Sequence, residues 1–304
     1  MANTLTSTLR ESLEVFYYTL GNESSSFTSW MQGITDSAPI VARADVFGVN
    51  GFTEQTDGGA ADPTAANLNS SKTTKTRQVW ESLVTVSEAD LMDNTSLASQ
   101  ITAQMAERAA YKIGELCYAQ LAASDTTAHP KASGIYVGSV FCADDFTVDP
   151  PDGGSNFAIS NLGSSALSAA SLSSAINSMR TYREENGLYM NNARDLTLVV
   201  PEDLRATALE LTTGSAAVYD GSGLQQRFGD EIARTQSSNL LTDANDWFLV
   251  SRTLSPYKYW IRKSPSVRIT PLPSRGAVSF YGSCQASVVI EPGVDYGLFM
   301  SKVS

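Results

Sequence analysis

The sequence predicts an α+β fold, because segments with helical spacing and segments with strand-like patterns are mixed without regular alternation. The Ala-rich stretch from Leu97 to Ala123 keeps one apolar face at helical spacing. The short apolar run from Asp195 to Val200 lies between Arg194 and Pro201, which is typical of a buried strand. After Trp247 the chain is almost entirely strand-like, and no internal repeat is visible.

The first forty residues are predicted to form an arm. Apolar residues recur at helical spacing from Leu5 to Leu20, and Gly21 can end this short amphipathic helix. The Ser-rich segment that follows carries large apolar side chains that are costly to leave in water, namely Phe27, Trp30, Met31 and Ile34. We therefore expect the arm to dock on a partner surface.

A long hairpin is predicted after the arm. Two extended segments, Ile40 to Val49 and Lys75 to Val86, are separated by a polar stretch that runs through Gly58 and Pro63 to Asn69. Loops of this length in compact domains usually serve a function, and an isolated two-stranded hairpin is marginal in water. We expect the hairpin to gain order by lying across another surface, although a disordered surface loop fits the composition equally well.

A long helix follows the hairpin. Asp93 to Ser96 supply N-cap candidates, and a helix from Leu97 to Ala123 would be about 40 Å long. A second helix is predicted from Ser165 to Glu185. Pro201 and the two acidic residues after it favour the start of a third helix, which runs through Leu211.

The last third of the chain is predicted to hold one loop and then strands. The segment from Ala216 to Asn239 is rich in Gly, Ser and Gln, which is typical of a mobile surface loop. Five strands are then predicted, at Trp247 to Ser251, Tyr257 to Arg262, Val267 to Pro271, Val278 to Ile290 and Tyr296 to Met300.

The composition limits the classes of function. Charged residues make up 17% of the chain, against about 25% in an average soluble domain, so Ser, Thr, Asn, Gln and Gly must cover much of the surface. The net charge of -11 repels nucleic acid at long range and argues against sequence-specific DNA binding. No signal peptide or membrane span is predicted, so we expect folding in a cytoplasm.

The residue types needed for catalysis or metal binding are sparse. His129 is the only histidine and is predicted to lie in a surface loop, and the three cysteines form no CxxC pair. The acidic residues from Asp144 to Asp152 do not match the spacing of a calcium-binding EF-hand loop. We predict no catalytic residue, no cofactor and no metal site.

Four stretches resemble one family in chain order. These are VWESLVTVSEADLMDNTS from Val79 to Ser96, the pair Gly134 and Ile135, LTLVVPEDLRATALEL from Leu196 to Leu211, and DWFLVSRTLSPYKYWIRKSPSVRITPL from Asp246 to Leu272. They are similar to the extended loop leading into the spine helix, the start of the axial lobe, the strand and helix that follow, and the return to the peripheral lobe. The family is the major capsid (head) proteins of tailed bacteriophages, with the Hong Kong phage-type fold shared with herpesviruses. The latter half most resembles Mu-like major head subunits.

The resemblance implies five regions. They are an N-terminal arm (1–40), an extended loop (41–82), a peripheral lobe with the spine helix (83–135), an axial lobe (136–250) and a return to the peripheral lobe (251–304). Within the axial lobe, Ala216 to Asn239 would be a loop near the capsomer centre. The implied function is that of a structural subunit, not an enzyme, which self-assembles into an icosahedral head shell.

The resemblance also implies partners and contact residues. Identical subunits would form pentamers and hexamers in the virion, after assembly in the host cytoplasm, with scaffold, portal and decoration proteins as further partners. Packaged DNA would make only weak, non-specific contact, and no membrane is involved. The candidate contacts between subunits are Leu9, Leu13, Phe27, Trp30, Met31, Phe47, Phe52, Lys72, Lys75 and Trp80. Certain members crosslink a lysine of the extended loop, but no crosslink is predicted for Lys72 or Lys75.

Two other functions remain open from the sequence. A tail tube or decoration protein would share the polar, loop-rich composition, but the long helix disfavours it because tube proteins depend mainly on sheet packing. A hydrolase that uses Ser or paired carboxylates is the other alternative. Closed shells or capsomers would favour the capsid subunit, and a stable active monomer would favour the enzyme.

Overall fold

The computed structural model describes most of the chain after the first 25 residues. The described residues are 26–35, 40–47, 69–76, 78–129, 140–148, 155–183, 189, 194–213, 218–219, 225–226, 228, 231–272, 276–290 and 297–303. The predicted helix from Leu5 to Leu20 lies outside them.

The described strands and helices mix in chain order, as the α+β prediction requires. The strands are β1 (Gln32–Thr35), β2 (Ile40–Phe47), β3 (Asn69–Thr76), β4 (Gln78–Ser87), β5 (Phe146–Val148), β6 (Phe157–Ile159), β7 (Leu162–Gly163), β8 (Leu196–Pro201), β9 (Val218–Tyr219), β10 (Gln225–Gln226), β11 (Ile232–Ser238), β12 (Trp247–Ser251), β13 (Tyr257–Leu272), β14 (Ala277–Ile290) and β15 (Leu298–Ser301). The α-helices are α1 (Glu88–Asp93), α2 (Leu97–Ala122), α3 (Ala169–Thr181) and α4 (Arg205–Thr213), and short 3-10 helices lie at Ser26–Ser29 and Glu202–Leu204.

A five-stranded sheet forms the centre of one half of the molecule, in the order β11-β8-β12-β15-β7. Every residue of β8, β12 and β15 is buried. Side chains alternate between the two faces of a strand, so Leu198 and Leu249 pack with α3 and α4, whereas Val199 and Phe248 pack with α2. The sheet is therefore covered on both sides.

A four-stranded sheet forms the other half, in the order β1-β13-β14-β4. Strand β1 is parallel to β13, and the other two pairings are antiparallel. One face packs on the first half of α2, where Phe280 and Ile269 belong to one apolar cluster with Met105. The opposite face is called the outer face below.

The long helix was predicted to within one residue of its end. It runs from Leu97 to Ala122, and its C-terminal half joins the cores of the two sheets through residues such as Tyr118. A separate short helix, α1, precedes it. Ser87 caps this helix by accepting a 3.1 Å hydrogen bond from the backbone N–H of Asp90.

The two middle helices are shorter or more irregular than predicted. Helix α3 begins at Ala169, because Ser168 and Ser171 form a reciprocal capping box, and it ends at Thr181. The third predicted helix opens with the 3-10 turn Glu202–Leu204 before it becomes α-helical. The buried strand predicted before it is confirmed as β8.

The predicted hairpin was partly wrong in its pairing. Strand β2 pairs with β3 from Ile40 opposite Thr76 to Phe47 opposite Asn69. The segment predicted as the second hairpin strand lies mostly in β4, which pairs with β14 instead. Because β3 has the polar sequence NSSKTTKT, no apolar alternation marked it as a strand.

Two predictions in the last third of the chain were also wrong. Part of the predicted loop from Ala216 to Asn239 is strand β11, which runs parallel to β8, and β9 and β10 form a small pair. Only the two end residues of β11 are buried, so its sequence lacks a strand-like apolar pattern. The segments Tyr257 to Arg262 and Val267 to Pro271 form one strand, β13, which is bulged between Ile261 and Ser266.

Candidate assembly surface

The N-terminal anchors fill the protein's own core. Phe27 is 6% exposed, Trp30 is 0% exposed and Met31 is 3% exposed within the single chain. The Trp30 ring lies 5.5 Å from the Tyr118 ring on α2, and the Phe27 ring meets Tyr259 of β13 edge-on at 5.0 Å. The expectation that these three residues dock on a surface is met, but the surface belongs to the same chain, which corrects their assignment as contacts between subunits.

Hydrogen bonds hold the same segment to both halves of the molecule. The Ser26 hydroxyl lies 2.8 Å from the Tyr118 hydroxyl, and burial raises the pKa of that tyrosine. On the side of the five-stranded sheet, Arg234 of β11 donates a 3.3 Å hydrogen bond to the carbonyl oxygen of Ser29. Residues 26–31, which we call the N-terminal plug, therefore connect α2 with strands of both sheets.

The chain segments before and after the hairpin β2–β3 lie in the same row of residues across the four-stranded sheet. Strand β1 ends at Thr35 opposite Ile261, Ile261 lies opposite Ala286, and Ala286 lies opposite Gln78, where β4 begins. The chain therefore leaves one edge of the sheet and returns to the other edge in the same row. At about 4.8 Å per strand, the two points are about 14 Å apart.

Several predicted contact residues lie in or near this hairpin. Leu9, Leu13 and Phe52 lie outside the described residues. Strand register places Phe47 opposite Asn69, Lys72 opposite Ala44 and Lys75 opposite Val41. Their assignment as contacts between subunits stays a prediction.

Trp80 lies near the start of β4, on the side of the sheet that faces α2. The Nζ atom of Lys112 on α2 stands 4.5 Å above the centre of the Trp80 ring and also lies 2.9 Å from the Glu115 carboxylate. Trp80 is half-buried by these contacts. Trp80 therefore contacts α2 of its own chain, while part of its side chain stays exposed to solvent.

The outer face of the four-stranded sheet is open beside β4. Val79 is 53% exposed and Leu83 is 65% exposed, and both project from this face. Between them stands Glu81, whose carboxylate accepts a hydrogen bond from Tyr281 and raises the pKa of that phenol. In the described residues β4 pairs with β14 alone, so it is an edge strand with exposed apolar side chains, which is a usual place for protein contacts.

A charged cluster ties the C-terminus to the end of α2. The Nζ atom of Lys302 lies 2.5 Å from the Asp125 carboxylate, and the N–H of Val303 donates a 2.9 Å hydrogen bond to Asp246. Burial raises the pKa of Asp246, the nearby carboxylates of Asp243 and Asp125 raise it further, and the Val303 and Lys302 contacts oppose them.

The described residues offer little chemistry for catalysis. Burial raises the pKa of the Cys117 and Cys142 thiols, which keeps them protonated and poorly nucleophilic, and Cys284 is also buried and free. His129 is 3% exposed and stacks 5.9 Å from Phe141, so its prediction as a surface loop residue was wrong.

A cavity of about 420 Å³ lies between β6 and the end of α3. The guanidinium of Arg183 stands 4.5 Å from the Tyr189 ring and 6.0 Å from the Phe157 ring. No His, Cys, Asp or Glu is among the described residues that line it. Across the described ranges, no group of His, Cys, Asp and Glu side chains could hold a metal ion, and none of the helices there is long and apolar enough to cross a membrane.

Comparison with known proteins gives one family match. The model of a family described as phage capsid protein matches residues 72–292 of the chain. A search of curated proteins found no match.

Several solved structures share the fold at low sequence identity. A virus-like particle from Pyrococcus furiosus is 12% identical, with a TM-score of 0.55 over 97% of this chain and 98% of that one. The capsid of a native GTA particle is 12% identical, with a TM-score of 0.59 over 93% and 91%. The procapsid of bacteriophage JBD30 is 17% identical, with a TM-score of 0.52 over 99% and 76%. At these identities the likeness shows the fold, and it confirms the predicted fold class.

Proposed function

The chain belongs to the phage capsid protein family, and from this premise we propose that it is the shell subunit that assembles into an icosahedral phage head. It is a structural protein and not an enzyme. The observation that carries the proposal is the extent of the shared fold, which covers 97% of the chain in a virus-like particle and 99% in a phage procapsid. The tail tube and hydrolase alternatives have no comparable support.

We propose that the five regions predicted from the sequence describe the subunit within the shell. The position of α2 between the two sheets supports its role as the spine of the peripheral lobe (83–135). The five-stranded sheet supports an axial lobe (136–250), although β15 joins that sheet from the returning segment (251–304). The arm (1–40) contributes the N-terminal plug and β1 to the body of the subunit, and the extended loop (41–82) contains β2, β3 and the start of β4.

The partners of the assembled subunit are proposals of the same kind. Identical copies would form pentamers and hexamers, and scaffold, portal and decoration proteins would act during or after assembly. The net charge of -11 supports weak, non-specific contact with packaged DNA, because an acidic wall does not hold phosphates tightly. The resemblance of the latter half of the sequence supports a Mu-like head subunit in particular.

The extended loop is the region in which assembly and folding can be separated. We propose that residues 46–81 lie across a neighbouring subunit, as the candidate contacts Phe47, Phe52, Lys72 and Lys75 suggest. The hairpin β2–β3 pairs only with itself among the described residues, which supports a role outside the chain's own sheets.

Deletion of Gly51 to Ala66, joined by a short Gly-Ser turn, tests the proposal. The purified variant should keep the circular dichroism spectrum and unfolding midpoint of the parent chain but sediment as a single subunit. The parent chain should give pentamers, hexamers or closed shells by sedimentation and negative-stain microscopy. A parent chain that stays a monomer at all concentrations would contradict the proposed function, and normal shells from the deletion variant would contradict the role of the loop.

A further inference from the structure

The cavity of about 420 Å³ beside β6 lies along the edge of that strand. Four consecutive residues, from Phe157 to Ser160, line one side of it, and the end of α3 lines the other side. Because successive side chains of a strand point to opposite faces, a cavity that touches all four residues lies along the strand edge and not over one face. Strand β6 pairs with β5 alone in the described residues, so this edge has no strand partner among them.

The backbone of β6 can offer hydrogen bonds to this cavity. In an antiparallel pair, every second residue turns its N–H and C=O groups towards the partner strand, and the residues between turn theirs away. The register sets Phe157 opposite Val148 and Ile159 opposite Phe146. At least one residue of β6 therefore directs both backbone groups away from β5, which is what a further strand needs in order to pair.

The hydroxyl groups on the opposite side of the cavity already act as donors within the chain. Ser178 donates a 3.0 Å hydrogen bond to the carbonyl oxygen of Ser174, and Thr181 donates a 2.9 Å hydrogen bond to that of Ser178. The hydroxyl of the buried Tyr182 donates a 2.9 Å hydrogen bond to the carbonyl oxygen of Ser160. A hydroxyl oxygen that donates keeps its lone pairs, so this side can accept hydrogen bonds from the N–H groups of a ligand.

Arg183 is the only charged side chain among the described residues that line the cavity. Its guanidinium packs against the rings of Tyr189 and Phe157 and donates a hydrogen bond to the Tyr189 hydroxyl, and these contacts restrict its position. A guanidinium has five N–H donors, so others remain for a ligand. None of the ion pairs between described residues includes Arg183, whereas Arg180, also near the end of α3, pairs with Glu231.

We propose that this cavity binds an extended, acidic segment of a second protein, which adds a strand to the open edge of β6 and places a carboxylate on Arg183. The strand edge favours a peptide over a small molecule, because main-chain hydrogen bonds supply the affinity of such sites. Arg183 favours an acidic side chain, because a guanidinium can bind a carboxylate through two parallel hydrogen bonds. The site belongs to the half of the molecule built on the five-stranded sheet, and it goes beyond shell assembly because it needs no contact between copies.

A labelled, end-blocked pentapeptide with aspartate at its centre and valine and threonine on either side tests the proposal. Fluorescence anisotropy with the full chain should show binding about tenfold tighter than that of the same peptide with asparagine, which lacks the charge. Two further aspartate peptides are N-methylated at alternate sets of backbone nitrogens. Only one set faces β6, so one of these two peptides should bind and the other should not.

Three results with the parent chain would overturn the proposal. They are no binding of the aspartate peptide, equal binding of the aspartate and asparagine peptides, and equal binding of the two methylated peptides. These comparisons use the parent chain alone, so they decide the question even where a variant fails to fold.

Arg183→Met, which removes the charge and keeps an apolar side chain, tests the role of this residue. It should abolish the preference for aspartate over asparagine, whereas the control Arg194→Met, at an exposed arginine that does not line the cavity, should preserve it. An unchanged preference in Arg183→Met or an equal loss in the control would overturn the assignment of Arg183. Arg183→Met should also assemble like the parent chain in sedimentation. Failed assembly with an unchanged circular dichroism spectrum would mean that a second copy fills the cavity, and it would overturn the assignment to another protein.

Discussion

The two sheets of the molecule complete their burial in different ways. The five-stranded sheet is covered on both faces by helices of the same chain, and its three central strands have no exposed residue. The four-stranded sheet packs on α2 through one face. On its outer face Trp260 and Val289 are buried with Ile34, but Val79 and Leu83 are exposed on β4, which pairs with β14 alone in the described residues. The central strands of the first sheet are fully buried by their own chain, whereas the second sheet leaves apolar side chains, charged side chains and an edge strand exposed.

The largest effect on stability is expected for Trp30→Ala in the N-terminal plug, which tests whether the chain buries this residue by itself. Because Trp30 is fully buried against Tyr118, its removal should lower the free energy of unfolding by about 3–5 kcal/mol. Urea unfolding of the dilute, unassembled chain measures this loss. A change below about 0.5 kcal/mol would mean that the residue is buried by a neighbouring subunit instead.

A smaller effect is expected for Gly33→Ala in β1. A Cβ atom at Gly33 would lie 2.3 Å from the Tyr259 ring, and Tyr259 supports Phe27 of the plug, so the ring must move. Overpacking of this kind costs about 1–3 kcal/mol. Adding Tyr259→Ala removes the clash, so the double variant should lose less stability than the sum of the two single variants, and strict additivity would contradict the contact.

The pH dependence of stability should report on Asp246. Its pKa is raised above the ordinary value of 3.8, mainly by burial, so the folded chain holds this proton more tightly than the unfolded chain. Its contribution to stability is therefore complete below pH 3.8 and is lost as the pH rises through the raised pKa. Asp246→Asn keeps the oxygen that accepts from Val303 and should flatten this decline in urea unfolding midpoints, and an unchanged slope would show that other groups cause it.

The smallest effect on folding is expected on the outer face. Leu83→Ser changes a side chain that is 65% exposed, so the free energy of unfolding should change by less than about 0.5 kcal/mol. Sedimentation should nevertheless show weaker assembly. Tyr111→Ser is the control, because Tyr111 is also exposed, at 53%, but lies on α2, away from this face. Equal weakening in both variants would remove the distinction between the outer face and the rest of the surface.

Residues that are buried in a regular pattern made part of the fold predictable. The apolar face of α2 and the continuous apolar run of β8 were both predicted from the sequence. A helix buried along one face leaves a periodic signal, and a strand buried on both faces leaves an unbroken apolar run. Strands β3 and β11 left no such signal, since one is polar throughout and the other is buried only at its ends. The pairing of β4 with β14 joins residues about 200 positions apart, which local patterns do not encode.

The candidate assembly surface was less predictable for a related reason. The sequence showed that Phe27, Trp30 and Met31 must be buried, but it could not show that α2 and β13 of the same chain supply the partner surface. The cations of the outer face escaped notice because Lys263 and Arg268 are separated along the chain, and only the register of β13 with β14 places them on one side. A check for charge excess over the whole segment from Tyr257 to Leu272 would have found them.

The row that joins Thr35 to Gln78 has a mechanical consequence. Both legs of the β2–β3 hairpin are anchored at the same level on opposite edges of the four-stranded sheet, with β13 and β14 between them. A pull on the hairpin therefore loads the hydrogen bonds of both edges in parallel and by shear, instead of peeling one strand away bond by bond. In a closed shell under internal pressure, such an anchorage would spread tension from one subunit across the full width of the next.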